Sequence, residues 1–204
     1  MKNFEYKGFK FQVFKDVYAP SDDTFLLAEN LNVFESDYVL DMGTGCGILA
    51  IIAGNLAAKV VGVDISERAV MNARINVTLN NMESRVEIRL GDLWNALKSD
   101  ERFNLILFNP PYLPISKSET NTGVLEKAWN GGENGREIID VFLAKFDDFL
   151  EGEGRVQMVL SSLSGIETTL SYLEKKGFQV EKKTEKKFFF EKLVLIKIKR
   201  VQFV

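Results

Sequence analysis

The sequence predicts an α/β fold, a mostly parallel sheet with helices on both faces. Three observations predict it. Short apolar, β-rich runs alternate with segments of helical period along most of the chain, the pattern of strand–helix–strand units that cover both faces of a parallel sheet. The run Val39-Leu40-Asp41-Met42 passes into the turn Gly43-Thr44-Gly45-Cys46-Gly47 and at once into an apolar helical segment. The last two runs are separated by a short loop, which reads as an antiparallel hairpin.

The elements follow in order. Residues 1–20 form a small N-terminal β-hairpin, with Phe9, Phe11 and Val13 on one face and Gly8 at the turn. Asp22–Leu31 is a helix, Tyr38–Met42 a strand and Ile48–Leu56 the helix after the glycines. Val60–Asp64 is a strand, and Glu67–Leu79 a helix with Ser66 as its N-cap. Arg85–Leu90 and Phe103–Phe108 are strands, Arg136–Leu150 a helix and Arg155–Leu160 a strand. Ile166–Lys175 is a helix stopped by Gly177, and Phe178–Lys183 and Leu193–Lys199 close the chain as strands. No repeat or linker interrupts this order, so one domain over residues 1–204 is the simplest account. Residues 113–134 show no clear period, and connections of such length in compact domains are usually functional or disordered. They are expected to form a substrate lid.

Composition excludes several classes of function. Lys plus Arg is 26 against 29 for Asp plus Glu, a net charge of −3, so a strongly basic nucleic-acid footprint is absent overall. No apolar run approaches bilayer length and the N-terminus lacks a signal-peptide core, so a cytoplasmic protein is expected. The chain has no histidine and one cysteine, Cys46. That rules out an intrachain disulfide, a Cys/His zinc site and every imidazole-dependent triad; no metal is expected. The chemistry must come from carboxylates, Asn, Tyr, backbone groups or a cofactor.

The most informative residues are Asn109-Pro110-Pro111-Tyr112, directly after the apolar run Phe103–Phe108. Proline fixes its own φ and has no N–H, and it holds the preceding residue extended. The tetrapeptide is therefore a stiff set of acceptors, the Asn109 side-chain oxygen and the backbone carbonyls, with an aromatic ring beside them. Such a set suits a planar, neutral –NH2 group. The plainer alternative is a strand followed by a turn, since Asn-Pro opens turns.

The glycine turn offers close backbone approach and the N–H groups of a helix start. Alone it would also fit a nicotinamide dinucleotide. Three acids narrow the reading. Asp41 just before the turn could pair with an ammonium group, Asp64 ends the next strand where ribose hydroxyls bind, and Asp92 ends the third, where it could accept from an adenine amino group while Leu93 packs the ring. Taken singly, Asp64 and Asp92 could each cap the following helix. Together with Gly43 and Gly45, the acids fit a zwitterionic amino-acid nucleoside such as S-adenosylmethionine. Cys46 reads as a small space-filling residue.

These residues resemble the class I S-adenosylmethionine-dependent methyltransferases, and more closely the HemK-type family that methylates the glutamine of release factors. Residues 17–27, Val-Tyr-Ala-Pro-Ser-Asp-Asp-Thr-Phe-Leu-Leu, resemble the leading segment of its archaeal and eukaryotic branch. Residues 128–137, Ala-Trp-Asn-Gly-Gly-Glu-Asn-Gly-Arg-Glu, resemble that branch's stretch after the lid. The resemblance implies a Rossmann-like, seven-stranded sheet with the last strand antiparallel. It implies Thr24 near the methionine end of the cofactor, Asp41 and Gly43 at its amino-acid moiety, Asp64 at the ribose, and Asp92 and Leu93 at the adenine. Asn109, with Pro110, Pro111 and Tyr112, would hold the substrate amide. Bacterial members carry a separate N-terminal helical domain for their release factor that residues 1–204 leave no room for, so the shorter branch is expected. Eukaryotic enzymes of that branch work with a small zinc-binding activator protein.

The expected reaction is N-methylation of a protein glutamine, in the Gly-Gly-Gln loop of a class I translation release factor. Two rivals stand beside it. An adenine or guanine amino-methyltransferase uses the same acceptors on an extruded base, and would want a basic track and exposed aromatics. The stretch Lys182-Lys183-Thr184-Glu185-Lys186-Lys187 reads instead as a solvated turn, and Phe188-Phe189-Phe190 as core and hairpin packing. An inactive cofactor-binding scaffold would have no use for the acceptors at Asn109. Glu67 and Glu137 read as first-turn partners of a helix dipole, and Gly131, Gly132 and Gly135 as shaping the end of the lid.

Overall fold

The computed structural model describes residues 1–115 and 128–201. The chain opens with a hairpin of β1 (Lys2–Tyr6) and β2 (Phe9–Val13). Lys7 and Gly8 at its turn have φ of 48° and 82°, the conformation whose twist matches antiparallel strands. Then come α1 (Asp22–Glu29), β3 (Tyr38–Met42), α2 (Ile48–Gly54), β4 (Lys59–Asp64), α3 (Glu67–Leu79), β5 (Val86–Leu90) and β6 (Phe103–Phe108). The second half supplies α4 (Glu137–Lys145), β7 (Leu150–Ser161), α5 (Ile166–Lys175), β8 (Phe178–Lys187) and β9 (Lys192–Arg200).

The main sheet has seven strands in the order β5-β4-β3-β6-β7-β9-β8. Pairings from β5 through β7 are parallel, while β9 runs antiparallel to both β7 and β8. The central strands are continuous apolar runs because helices cover both faces; Val39, Leu40, Val60, Val61, Leu105, Ile106 and Leu107 are all buried. The order reverses between β3 and β6, which opens a crevice at the carboxyl ends of these two strands.

The N-terminal hairpin is tied to α3 by a ladder that the sequence did not announce. Asn72, Asn76 and Asn80 lie on one face of the helix at i, i+4 and i+8. Their Oδ1 atoms accept from the backbone N–H groups of Phe14, Gln12 and Lys10, each at 2.9 Å. The helix thus supplies β2 with the hydrogen bonds a third strand would have given.

Three expectations are corrected. The stretch Lys182–Lys187, expected as a solvated turn, continues β8 to Lys187, because its backbone pairs with β9 as far as Lys187 opposite Lys192. The helix expected to reach Leu150 ends at Lys145; Phe146–Phe149 tighten into a 3-10 turn and β7 begins at Leu150. Aromatic stacking decides this break: Phe146 meets Phe178 at 4.9 Å and Phe149 meets Trp94 at 5.0 Å between ring centroids. Phe188, Phe189 and Phe190 do not pack in the core. They lie at the tip of the β8–β9 hairpin, beyond the reach of any covering element, and are exposed.

Candidate active site

Four strand ends meet at one edge of the sheet. Met42 pairs with both Val63 and Phe108, and Asp64 with Leu90, so Gly43, Asp64, Gly91 and Asn109 leave the sheet side by side. Between them lies a cavity of about 930 Å³. Gly43, Gly45, Asp64, Asp92 and Leu93 line one part of it, and Thr24, Asn109, Pro110, Pro111 and Tyr112 line another.

The glycine turn is shaped by the acid of the neighbouring strand. Gly43 and Gly45 have φ of 70° and 57°, conformations that side chains other than hydrogen rarely adopt. Asp64 Oδ2 accepts from Gly45 N and its Oδ1 from Ser66 N, both at 2.9 Å. Asp64 therefore joins the turn to the start of α3, where the Ser66 hydroxyl accepts from Ala69 N at 3.3 Å. Each carboxylate oxygen keeps further acceptor capacity for a hydroxyl ligand. Burial pushes the Asp64 carboxyl above the ordinary range. Leu93 is also held at positive φ, 45°, a strained geometry for a branched side chain and one that clusters at ligand sites.

Asp41 departs from its expected place. It is fully buried and is not among the residues that border the cavity. Its Oδ2 accepts from the Thr44 hydroxyl at 2.6 Å and from Ala50 N at 3.0 Å, so it braces the turn from behind. The short reach of an aspartate one residue before the end of β3 leaves it inside the sheet–helix interface, hydrogen-bonded to Ala50 of α2. Burial raises its carboxyl to about 7. Cys46 is buried as well, its thiol pushed up to about 12, in keeping with a space-filling role.

At the other end, Asn109 Nδ2 donates to the Thr24 hydroxyl at 3.4 Å. This turns the amide so that Oδ1 is buried with no partner among the described residues. A buried acceptor left unsatisfied is costly; Asp41 Oδ1, Trp94 Nε1 and Tyr6 Oη share that state, but of these residues only Asn109 borders the cavity. The Thr24 amide and hydroxyl both donate to Asp23 Oδ1, at 2.6 Å and 3.1 Å. The hydroxyls of Tyr18 and Tyr112 donate to Asp23 Oδ2 at 3.3 Å and 3.4 Å. Burial, followed by the Asp23 charge, pushes the Tyr112 phenol well above its ordinary range.

Asp23 is the residue that sequence reasoning missed. Within residues 17–27 nothing in the sequence singles it out, yet its carboxylate organises Thr24, Tyr18 and Tyr112. Glu137, read as a dipole partner, also borders the cavity, as do Trp129 and Asn130. Residues 116–127 of the expected lid lie outside the described residues. Its two flanks are joined: Leu113 N donates to Trp129 O at 2.9 Å and Ile115 N to Gly132 O at 3.0 Å.

The lining tests which cofactor fits. Asp16, Asp23, Asp64, Asp92 and Glu137 border the cavity, and no Lys or Arg does so among the described residues. Phosphate groups are disfavoured in such a field, whereas a cationic nucleoside with hydroxyl donors is favoured. Asp64 can accept from a ribose, Asp92 from an amino group, and Gly43 and Gly45 let a ligand approach the backbone. No group of residues among those described is disposed to hold a metal ion.

Comparison with known proteins agrees with this chemistry. The family model for the methyltransferase small domain matches residues 19–190. The chain is 38% identical over 193 residues to a candidate protein N5-glutamine methyltransferase of Methanocaldococcus jannaschii, covering 94% of this chain and 96% of that one. It is 29% identical over 176 residues to human methyltransferase HEMK2, covering 81% of each. Among solved structures, the E. cuniculi Mtq2–Trm112 complex, responsible for methylation of the termination factor eRF1, superposes with a TM-score of 0.69 at 25% identity, covering 91% of this chain and 99% of that one.

Two outcomes follow from the geometry. A Cβ at Gly135, where φ is 71°, would lie 2.3 Å from the Tyr112 carbonyl oxygen. Gly135→Ala is expected to cost about 2 kcal/mol of stability, read from urea unfolding; an unchanged midpoint would show the contact to be slack. The second outcome concerns pH. Asp41 holds its proton in the folded chain at pH values where the unfolded chain releases it, so its contribution makes stability fall as pH rises from 3.8 towards about 7. Asp64 acts with the same sign. Asp41→Asn is expected to show a shallower fall across that window; an equal slope would assign the dependence elsewhere.

Proposed function

The chain belongs to the methyltransferase small-domain family, and from that premise we propose that it transfers a methyl group from S-adenosylmethionine to the side-chain amide of a protein glutamine. The acceptor is the Gly-Gly-Gln loop of a class I translation release factor, in the cytoplasm. The names of the relatives support this reading: one is a candidate N5-glutamine methyltransferase and another belongs to a complex that methylates eRF1. The observation that carries it is the Asn109 side-chain oxygen, buried and without a partner among the described residues, on an amide whose nitrogen donates to Thr24 and which two prolines follow in sequence.

S-adenosylmethionine, when bound, supplies a methyl on a sulfonium centre, which leaves without an acid or a base. The protein's task is to hold and polarise a poor nucleophile, because an amide lone pair is delocalised into its carbonyl. Asn109 Oδ1 and the Pro110 carbonyl receive the two N–H groups of the glutamine and favour a pyramidal nitrogen. Both stabilise the positive charge that develops there, and the acidic lining adds to the effect. Thr24, itself held by Asp23, keeps the Asn109 amide from turning over. Pro110 and Pro111 restrict the backbone, so little reorganisation is needed at transfer. Tyr112, with its hydroxyl on Asp23, offers its ring as a wall for the substrate amide.

We further propose a second subunit of the kind that Mtq2 has in Trm112, a small zinc-binding activator. The supporting features are the outer edge of β5, which has no partner strand among the described residues, and an apolar stripe beside it. Met71, Ile75 and Leu79 on α3 and Leu90 at the end of β5 are exposed; Arg74 caps the Ile88 carbonyl and Met82 the Val86 amide, and a strand edge without a partner strand next to apolar surface favours pairing.

Asn109→Ala is expected to lower methyl transfer to a release factor by roughly 100-fold or more with cofactor affinity little changed, measured by single-turnover transfer and by calorimetry. Near-normal transfer would remove Asn109 from the mechanism. For the second subunit, co-expression with a Trm112-type protein is expected to give a co-eluting, zinc-containing complex that Met71→Ser and Ile75→Ser disrupt. Separate elution of the unaltered chains would refute it.

A further inference from the structure

At the tip of the β8–β9 hairpin, Phe189 and Phe190 are 91% and 86% exposed, and their rings meet edge to face with centroids 4.5 Å apart. We propose that this pair is a docking knob for the methyl-acceptor protein, seated in an apolar pocket beside the loop that carries the glutamine. The inference rests on the acceptor being a protein, as proposed above.

Position is the first argument. Ser161, the last residue of β7, pairs with Leu193 near the start of β9, so the hairpin projects from the same edge of the sheet as the cavity. Lys186 forms an ion pair with Asp22 at 2.5 Å, and the next residues, Asp23 and Thr24, line the cavity. Glu191 accepts from the Ser161 hydroxyl at 2.6 Å and lies near enough for its charge to reach the phenols of Tyr112 and Tyr18. The two rings therefore project from the edge of the sheet that carries the cavity, without belonging to the cavity wall.

Charge is the second argument, and it separates a protein partner from a nucleic acid. Lys182 is paired with Glu167, Lys183 with Glu181, Lys186 with Asp22 and Lys187 with Glu185. The stretch that looked basic in sequence is close to neutral in the fold. Single-strand platforms join aromatic rings to a cationic groove, and phosphate neutralisation supplies most of their affinity. Here the groove is missing and the adjacent cavity is acidic. Exposed aromatics on a neutral ground are the anchors of protein interfaces.

Rigidity is the third argument. Phe188 N donates to Glu191 O at 2.7 Å to close the turn, and the Lys186 ammonium lies 5.6 Å from the Phe188 ring centroid. Held on a ladder between two long strands, the knob is preorganised, which reduces the ordering cost of binding.

The test is a Phe189→Ser, Phe190→Ser double variant, whose exposed positions leave the core untouched, assayed on two acceptors. These are an intact class I release factor and a short peptide containing its Gly-Gly-Gln sequence. For the intact factor, KM is expected to rise roughly 30-fold with kcat unchanged, while kinetics on the peptide stay as in the unaltered enzyme. Equal losses on both acceptors, or no loss on either, would overturn the proposal. It would also fall if the variant lost binding to a single-stranded oligonucleotide while factor kinetics held. A change from dimer to monomer with factor kinetics intact would overturn it equally. All assays use the chain co-expressed with a Trm112-type subunit; an unaltered enzyme inactive on both acceptors in that form would overturn the proposed function and the docking with it, a result distinct from an active enzyme indifferent to the two rings.

Discussion

The parallel register between β3 and β6 is the constraint from which the site follows. Met42 stands beside Phe108 in that ladder, and on its other side beside Val63. The glycine turn, the Asp64 carboxylate and the Asn109 acceptor consequently leave the sheet from neighbouring rows. A slip of one residue would exchange inward and outward faces along the whole strand, burying the acceptor or moving it away from the turn. The buried apolar side chains on both faces of β3 and β6 prevent that slip, so the core sets the spacing of the site.

Within that frame two buried carboxylates do unlike work. Asp41 supports the glycine turn from inside the fold, where desolvation raises its affinity for a proton. Asp23 gathers the Thr24, Tyr18 and Tyr112 donors and through them sets the orientation of Asn109. The first fixes the glycine turn through Thr44 and Ala50, the second the Thr24 hydroxyl on which the Asn109 amide rests. The residues bordering the cavity carry acids and no base among those described, so the site as a whole favours positive charge.

The surface outside the cavity is ordered by the same economy of hydrogen bonds and charge. The asparagine ladder of α3 satisfies the open edge of β2, while the outer edge of β5 has no partner strand among the described residues and is capped only in part, by Arg74 on Ile88 O and Met82 on Val86 N, beside an apolar stripe. The β8 strand pairs Lys182, Lys183, Lys186 and Lys187 with carboxylates, and the hairpin presents its aromatic tip on the cavity side of the sheet. These faces differ in chemistry and project from different strands, so the proposed subunit surface and the proposed docking surface are separate.

Much of this was legible in the chain because the signals are short-ranged. Proline restricts the dihedrals of its neighbours, glycine permits a sharp turn, and apolar period tells strand from helix, so the order of elements, the glycine turn, Asp64, Asp92 and Asn109-Pro110-Pro111-Tyr112 could be read without coordinates. Contacts between distant residues could not. Asp23 meets Tyr112 across 89 positions of sequence, Gly135 meets the Tyr112 carbonyl, and aromatic stacking ends α4 at Lys145. Whether Phe189 and Phe190 were buried depended on how far a hairpin outruns its neighbours, and whether Asp41 faced the ligand depended on how deep β3 lies. By itself the sequence determined the local geometry and the chemical inventory; the tertiary structure alone decided which atoms face one another, because that is set by packing between segments whose separation along the chain carries no local signal.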